Sequence, residues 1–272
     1  MRLGSETAYR TALESWEALL QEKSAGESEF AQELFAIADT LTNAPSLTAA
    51  LEDGARDSDA RAKLAADVLE GKVCGEVEDL VIGLARSVWS ENGDLLRAVE
   101  ILAVQTLLIG AQREGVLDQV ESELYEMKNV LVCERELRNL LTDEQYGVAD
   151  RQRLAHQIMP NLTAYSRLLL ERAVDLSHRC SVRLTIAKYL ECAGERGEHL
   201  VASVTAAIPL TAEQEQRLAA VLIKKYGKEV RIHTTIDTSV VGGVRILVGT
   251  DVIEGTIASR LAAVKEVFSN GR

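Results

Sequence analysis

Residues 33–68 recur at 123–158, at a constant offset of 90 residues and without a gap, and this repetition constrains the fold more than any other feature of the chain. Glu33-Leu34-Phe35 falls on Glu123-Leu124-Tyr125. Leu41 then meets Leu131, Leu47 meets Leu137, Leu51 meets Leu141, Leu64 meets Leu154 and Val68 meets Ile158. Two Leu-rich amphipathic helix pairs can share apolar positions through their common period alone. The polar matches Glu33/Glu123, Asp53/Asp143 and Arg61/Arg151 lie in the same register and favour a duplication over that coincidence. Downstream the match needs a shift, with Gln112-Arg113-Glu114-Gly115 resembling Glu195-Arg196-Gly197. A duplicated segment of this length implies two similar helical packing modules, over about 31–118 and 121–200.

The pattern from residue 5 to about 198 is helical. Leu34, Ile37, Ala38 and Leu41 follow the i, i+3, i+4, i+7 spacing of one helix face, and Val99, Leu102, Ala103 and Thr106 continue it. Asn43-Ala44-Pro45, Asp53-Gly54 and Glu91-Asn92-Gly93-Asp94 interrupt it with turn chemistry, leaving helices of bundle length with short connections. Leu, Ala and Glu dominate the composition and only three prolines occur, at Pro45, Pro160 and Pro209, as in a mostly helical protein.

The character changes near residue 200. Val201-Ala202-Ser203-Val204-Thr205 is a β-type run, and Pro209-Leu210-Thr211 follows. Thr211 with Gln214 forms a capping-box pattern for a helix carrying Leu218, Val221, Leu222 and Tyr226, which Gly227 is placed to end. Val230, Ile232 and Ile236 lie in a second β run, and Val244, Ile246 and Val248 alternate in a third. Gly249-Thr250-Asp251 is a turn into Val252-Ile253, and a last helix from near Thr256 places Ile257, Leu261, Val264 and Phe268 on one face. Gly242-Gly243 suits a tight bend between strands, since glycine tolerates positive φ. The expected fold is a mainly α N-terminal bundle region of two repeated modules, plus a small C-terminal α/β domain with one mixed sheet and two helices. The expected bounds are 1–118 and 119–200 for the modules and 201–272 for the α/β domain.

The same residues exclude several function classes. The net charge of −12 opposes binding to a phosphate backbone. The longest apolar run, residues 101–110, is broken by Gln105 and followed by Arg113 and Glu114, too short to cross a bilayer. The N-terminal MRLGSETAYRTALES lacks an apolar signal-peptide core, so the expectation is a soluble protein in the cytoplasm. Cys74, Cys133, Cys180 and Cys192 have no CxxC spacing and read as reduced, mostly buried apolar residues. His156, His178, His199 and His233 are scattered and read as surface or half-buried residues rather than bases. Gly71-Lys72 is not a phosphate loop, because Ala66 stands where the first glycine is needed, and Gly242-Gly243 precedes a strand rather than a helix. No catalytic, cofactor-binding or metal-ligating residue is therefore assigned. Residues 201–272 hold nine Lys or Arg and seven Asp or Glu, a net +2, so the helical part carries −14 and fits a basic or amphipathic partner helix.

The C-terminal stretch resembles the δ subunit family of F-type ATP synthases. VASVTAAIPL at 201–210 is similar to the family's linking strand. VRIHTTIDTSVVGGVRILV at 230–248 has the signature order: Val230, Ile232, Ile236, the acid Asp237, Val240, Gly242-Gly243, Val244 and Ile246. GTDVIEGTIASRL at 249–261 is similar to its continuation, and Leu247 departs where the family has a polar residue. The helical part is longer than in the usual family member by about one module, as in the extended actinobacterial-type form. The resemblance implies a non-catalytic stator subunit, one copy per assembly and without cofactors. Its helical region would grip the N-terminal extensions of the α subunits, and its α/β domain would meet the b-type peripheral stalk. It would resist rotor torque so that proton flow is coupled to ATP synthesis, at the cytoplasmic face of the bacterial cell membrane and held there only through the complex. A generic helical adaptor of another complex is the alternative.

Overall fold

The computed structural model of the protein describes residues 2–23, 25–237, 242–248 and 251–254. The chain divides into two compact units, Met1–Val116 and Leu117–Arg272. The first holds six helices: α1 (Leu3–Glu22), α2 (Glu27–Asn43), α3 (Pro45–Glu52), α4 (Ser58–Leu69), α5 (Gly75–Arg86) and α6 (Asp94–Arg113). The turn chemistry sets the boundaries. Pro45 occupies the first turn of α3, where its missing N–H costs nothing. The Asp57 carboxylate accepts the Asp59 and Ala60 amides at the start of α4. Gly93, at φ 85°, turns the chain into α6. The stripe Ala31, Leu34, Ile37, Ala38 and Leu41 is buried on α2, which packs along α6. Helix α1 is fixed by Trp16, 2% exposed, whose Nε1 donates to Thr106 Oγ1 at 2.8 Å.

The second unit begins with α7 (Leu117–Cys133), α8 (Arg135–Thr142), α9 (Val148–Ile158), α10 (Ala164–Asp175), a 3-10 turn at Leu176–His178 and α11 (Val182–Arg196). Helices α7, α8 and α9 start 90 residues after α2, α3 and α4. The α/β part follows: β1 (His199–Ala206), α12 (Ala212–Tyr226), β2 (Glu229–Ile236), β3 (Val244–Val248) and β4 (Asp251–Glu254). The strands form one mixed sheet in the order β2-β1-β3-β4, with β1 and β2 parallel across the α12 crossover and the other pairs antiparallel. Ala202, Val204, Leu222, Ile246 and Val248 form its small core, with Leu218, Val230 and Ile232 packed against it. Thr211 and Gln214 make the expected capping box, and Gly227 ends α12 at φ 69°. Gly242 and Gly243 take φ 69° and 83° before β3. The turn at Gly249-Thr250 and the expected helix with Ile257, Leu261, Val264 and Phe268 lie outside the described residues.

The polar residues that match across the 90-residue offset make related contacts in both halves. Arg61 on α4 is 3% exposed, and its guanidinium donates to the carbonyl oxygens of Leu51 (3.4 Å), Ser87 (2.6 Å) and Arg86 (3.2 Å). These carbonyls close the C-terminal ends of α3 and α5. Arg151 on α9 is 5% exposed and donates to the Leu141 carbonyl at 3.1 Å and to Ser177 Oγ. Glu33 accepts the Cys74 amide at 3.0 Å, just before α5. Glu123 accepts the Thr163 amide and hydroxyl, just before α10. Asp53 Oδ1 accepts the Ala55 amide at 3.0 Å, and Asp143 Oδ1 the Gln145 amide at 2.9 Å. Anions at helix N-termini and cations at C-termini complement the helix dipole, and the burial of Arg61, Arg151 and Glu123 strengthens the effect. Removing Arg61 leaves three carbonyls without their donor. Arg61→Met is expected to destabilise the first unit by about 3 kcal/mol, and Arg151→Met the second by about as much. Both tryptophans, Trp16 and Trp89, lie in the first unit. Urea unfolding followed by tryptophan fluorescence should therefore move for Arg61→Met alone, whereas circular dichroism should move for both.

Candidate functional site

One face of α7 is polar, running from the exposed Asp118 through the buried Glu121 and Tyr125 to the partly buried Lys128. Asp118, Glu121, Tyr125 and Lys128 are spaced by three, four and three residues and share a stripe. In the sheet, alternate residues point the same way, so His199 and Ser203 on β1 share a face with Arg231, His233 and Thr235 on β2. The residues between them, Ala202 and Val204 on β1 and Val230 and Ile232 on β2, belong to the apolar cluster with Leu222 of α12. The sheet thus gives its apolar face to α12 and its polar face to α7.

The seam between α7 and the sheet is a run of hydrogen bonds and ion pairs. Arg231 Nη1 donates to Asp118 Oδ1 at 2.8 Å and lies 3.5 Å from Glu121 Oε2. Glu121, with a side chain 0% exposed, meets His199 Nε2 at 2.5 Å and His233 Nε2 at 3.0 Å, one imidazole on each carboxylate oxygen. The His233 ring stacks on Tyr125 with centroids 4.3 Å apart. Tyr125 donates to the His233 carbonyl at 3.0 Å, and its hydroxyl lies 2.8 Å from Thr235 Oγ1. Asn129 donates to the same Thr235 oxygen at 3.1 Å. Lys128 donates to Ser203 Oγ at 2.8 Å, with its ammonium 4.5 Å from the centre of the Tyr125 ring.

The seam shifts its own titrations. Burial alone would raise the Glu121 carboxyl, but the His233 hydrogen bond, the His199 contact and the Arg231 charge outweigh it and hold the group below its ordinary value. Arg231 holds Asp118 below its ordinary value through their hydrogen bond. Burial pushes the Lys128 ammonium down to about 8, with the Arg183 charge adding to the effect and Glu191 opposing it.

A short joint leads from α11 into this seam. Glu198 sits at φ 59°, a left-handed conformation that costs a side-chain-bearing residue about 1 kcal/mol. A Cβ on Gly194 would lie 2.9 Å from Val201 Cγ2, and one on Gly197 would collide with the His199 ring. Both glycines therefore allow β1 to lie close against α11.

The scattered histidines are two kinds of residue. His178 is exposed and meets the Asp175 carbonyl, and His156 pairs with Glu171 at 2.8 Å. His199 corrects the expectation of surface or half-buried histidines, being 8% exposed because β1 carries it under α7. The cysteines also differ from expectation: only Cys192 is buried, Cys74 is intermediate, and Cys133 and Cys180 are exposed at a helix end and a turn. Burial pushes the Cys192 thiol up to about 11. No group of three or more His, Cys, Asp or Glu among the described residues is placed to hold a metal ion. The repeat held a signal for the seam in its departures. Glu121 stands opposite Ala31 and Lys128 opposite Ala38, two buried alanines of α2.

Because Glu121 titrates below a free glutamate, its contribution to stability is complete above the unfolded value of about 4.3 and is lost as the pH falls through the lower folded value. Glu121→Gln is expected to cost about 3 kcal/mol at pH 7. It should also remove much of the stability loss that the unmodified protein suffers below about pH 4. Urea midpoints by circular dichroism at pH 7, 5 and 3.5 check both.

The comparisons with known proteins agree with one another. The family described as ATP synthase delta (OSCP) subunit matches residues 105–268. ATP synthase subunit delta of Beutenbergia cavernae is 38% identical over 96% of this chain and 97% of its own. That of Streptomyces avermitilis is 38% identical over 94% of each chain, and that of Streptomyces griseus 35% over 96% of this chain and 97% of its own. The match thus spans both helical halves as well as the sheet, and the chain belongs to the ATP synthase delta (OSCP) subunit family.

Proposed function

We propose that this protein is a non-catalytic peripheral-stalk subunit of a bacterial F-type ATP synthase. It ties the N-terminal extensions of the α subunits of the catalytic head to the b-type stalk, and it resists rotor torque so that proton flow drives ATP synthesis. The observation that carries this reading is the agreement with proteins named ATP synthase subunit delta over nearly their whole length. One copy sits at the cytoplasmic face of the cell membrane, held there through the complex. Among the described residues no helix is long and apolar enough to cross a bilayer.

The helical part is a duplicated unit, with α2–α6 and α7–α11 as the copies. Matching helix order and the repeated Arg61/Arg151, Glu33/Glu123 and Asp53/Asp143 contacts support this. The copies have diverged in charge. Residues 1–116 hold twenty-one acids and ten bases, a net −11, whereas residues 117–200 hold fourteen and eleven, a net −3. The first copy faces the head in this reading, because a field of that size speeds the encounter with a basic or amphipathic helix. The sheet side of the second unit faces the b-type stalk.

Coexpression with the α and b subunits of the same synthase tests the proposal. The full chain should copurify with both. Reversing exposed acids of the first unit, such as Asp59 and Asp79, should slow association with α and leave b unaffected. Failure to associate with either subunit overturns the stator reading, and loss of b instead of α overturns the orientation.

A further inference from the structure

Both ring nitrogens of His199 face acceptors. Nδ1 lies 2.9 Å from the carbonyl oxygen of Gly197, and Nε2 lies 2.5 Å from Oε2 of Glu121. A neutral imidazole carries one N–H and one lone pair. In either neutral tautomer that lone pair would confront an acceptor at hydrogen-bond distance, in a place where the His199 side chain is 8% and the Glu121 side chain 0% exposed. Only a ring protonated on both nitrogens satisfies the two contacts while Glu121 is a carboxylate. The surroundings of Glu121 favour the carboxylate, since Oε1 meets the His233 ring at 3.0 Å and Arg231 lies 3.5 Å from Oε2.

We propose that His199 and Glu121 form a proton-binding site, occupied by one proton on the His199 ring beyond that of the neutral imidazole, and that this proton ties the sheet to α7. Asp118, its side chain 75% exposed, pairs with Arg231 at the solvent edge, so the buried Glu121 carboxylate has the His199 imidazolium as its enclosed counter-charge. The buried carboxylate is compensated when it faces a charged ring that donates from both nitrogens, whereas opposite a neutral ring it keeps only the His233 contact and the partly exposed Arg231. The other ionisable groups on the packed elements are engaged in the contacts already described or partly exposed. On α7, Lys128 is engaged with Ser203 and Tyr125 with Thr235 and the His233 carbonyl. On α11, Arg183, Lys188, Glu191, Glu195 and Arg196 are exposed or partly exposed and sum to +1. On β2, His233 completes the cluster through its single contact with Glu121. Loss of the proton leaves either the Gly197 carbonyl or Glu121 without its donor, at the point where β1 leaves the joint. The sheet is therefore held firmly to the helical part when the site is occupied and loosely when it is empty. This inference stands on the local geometry and does not require the stator role.

Nuclear magnetic resonance of the full chain with 15N-labelled histidine tests it. At neutral pH the His199 ring should show protons on both nitrogens, and the second should be lost in Glu121→Gln. A neutral ring in either tautomer in the unmodified protein overturns the proposal. As the pH is raised until the second N–H signal disappears, amide protection in α7 and β1, corrected for intrinsic exchange, should fall at least tenfold at the same point. Unchanged protection across that point overturns the claim that the proton holds the seam. His199→Gln has one donor and should lose the pH step, whereas His233→Gln should keep it. If neither variant folds, the measurements on the unmodified protein decide both claims.

Discussion

A helix held at both ends by opposite charges organises the first half of the helical part. In the first unit a carboxylate on α2 meets the start of α5, and a guanidinium on α4 closes its far end together with the end of α3. One helix is thereby tied to three neighbours through its own backbone, which side-chain packing alone does not do. The second unit keeps the same residues, with Glu123 of α7 at the start of α10 and Arg151 of α9 on the end of α8 and on the Ser177 hydroxyl beyond α10. Arg61, Arg151 and Glu123 are buried and Glu33 is partly buried, so none can be exchanged for an apolar residue without leaving backbone groups unpaired. The two arginines and two glutamates set the spacing of the bundle, and the leucines fill what they enclose.

The α/β part is held in a different way. Its apolar face is closed by α12, as expected for a small sheet, but its opposite face meets α7 through ions, imidazoles and hydroxyls. An apolar contact tolerates sliding, because dispersion is indifferent to the pairing of atoms. A seam of Glu121, Arg231, His199 and Tyr125 has one register in which its groups are satisfied, and a displaced arrangement leaves buried charges alone. Such a seam fixes orientation at some cost in affinity, which suits a protein whose work is to hold parts in place.

What could be read from the sequence follows from the range of the contacts involved. Thr211 with Gln214, Gly227 and Gly242-Gly243 act on their own neighbours in the chain, and the structure places each as its local chemistry implies. The repeat was legible as positions, yet nothing in the register told that Arg61 and Glu33 serve two ends of one helix. The seam joins Glu121 to residues 78 and 112 positions away, and two of its members are histidines that no local pattern links. The same comparison that exposed the repeat held the missing clue: a buried alanine in one copy answered by a charged residue in the other marks where the second copy turned its face to a new neighbour.

The joint at Gly197-Glu198 gives the seam a pivot. Two residues separate α11 from β1, and the first lies against the ring of the third. With so little chain, the sheet cannot lift away from α7 by translation. It can only swing, like a door on a narrow hinge. The Tyr125 and Asn129 contacts with Thr235, seven residues along β2, lie farthest from the hinge and travel most for a given angle. The Glu121–His199 contact lies beside the hinge and travels least. A load on the sheet therefore opens the seam from its outer edge inward, and the buried carboxylate is the last group to be reached by water and the first to be re-covered when the load is removed.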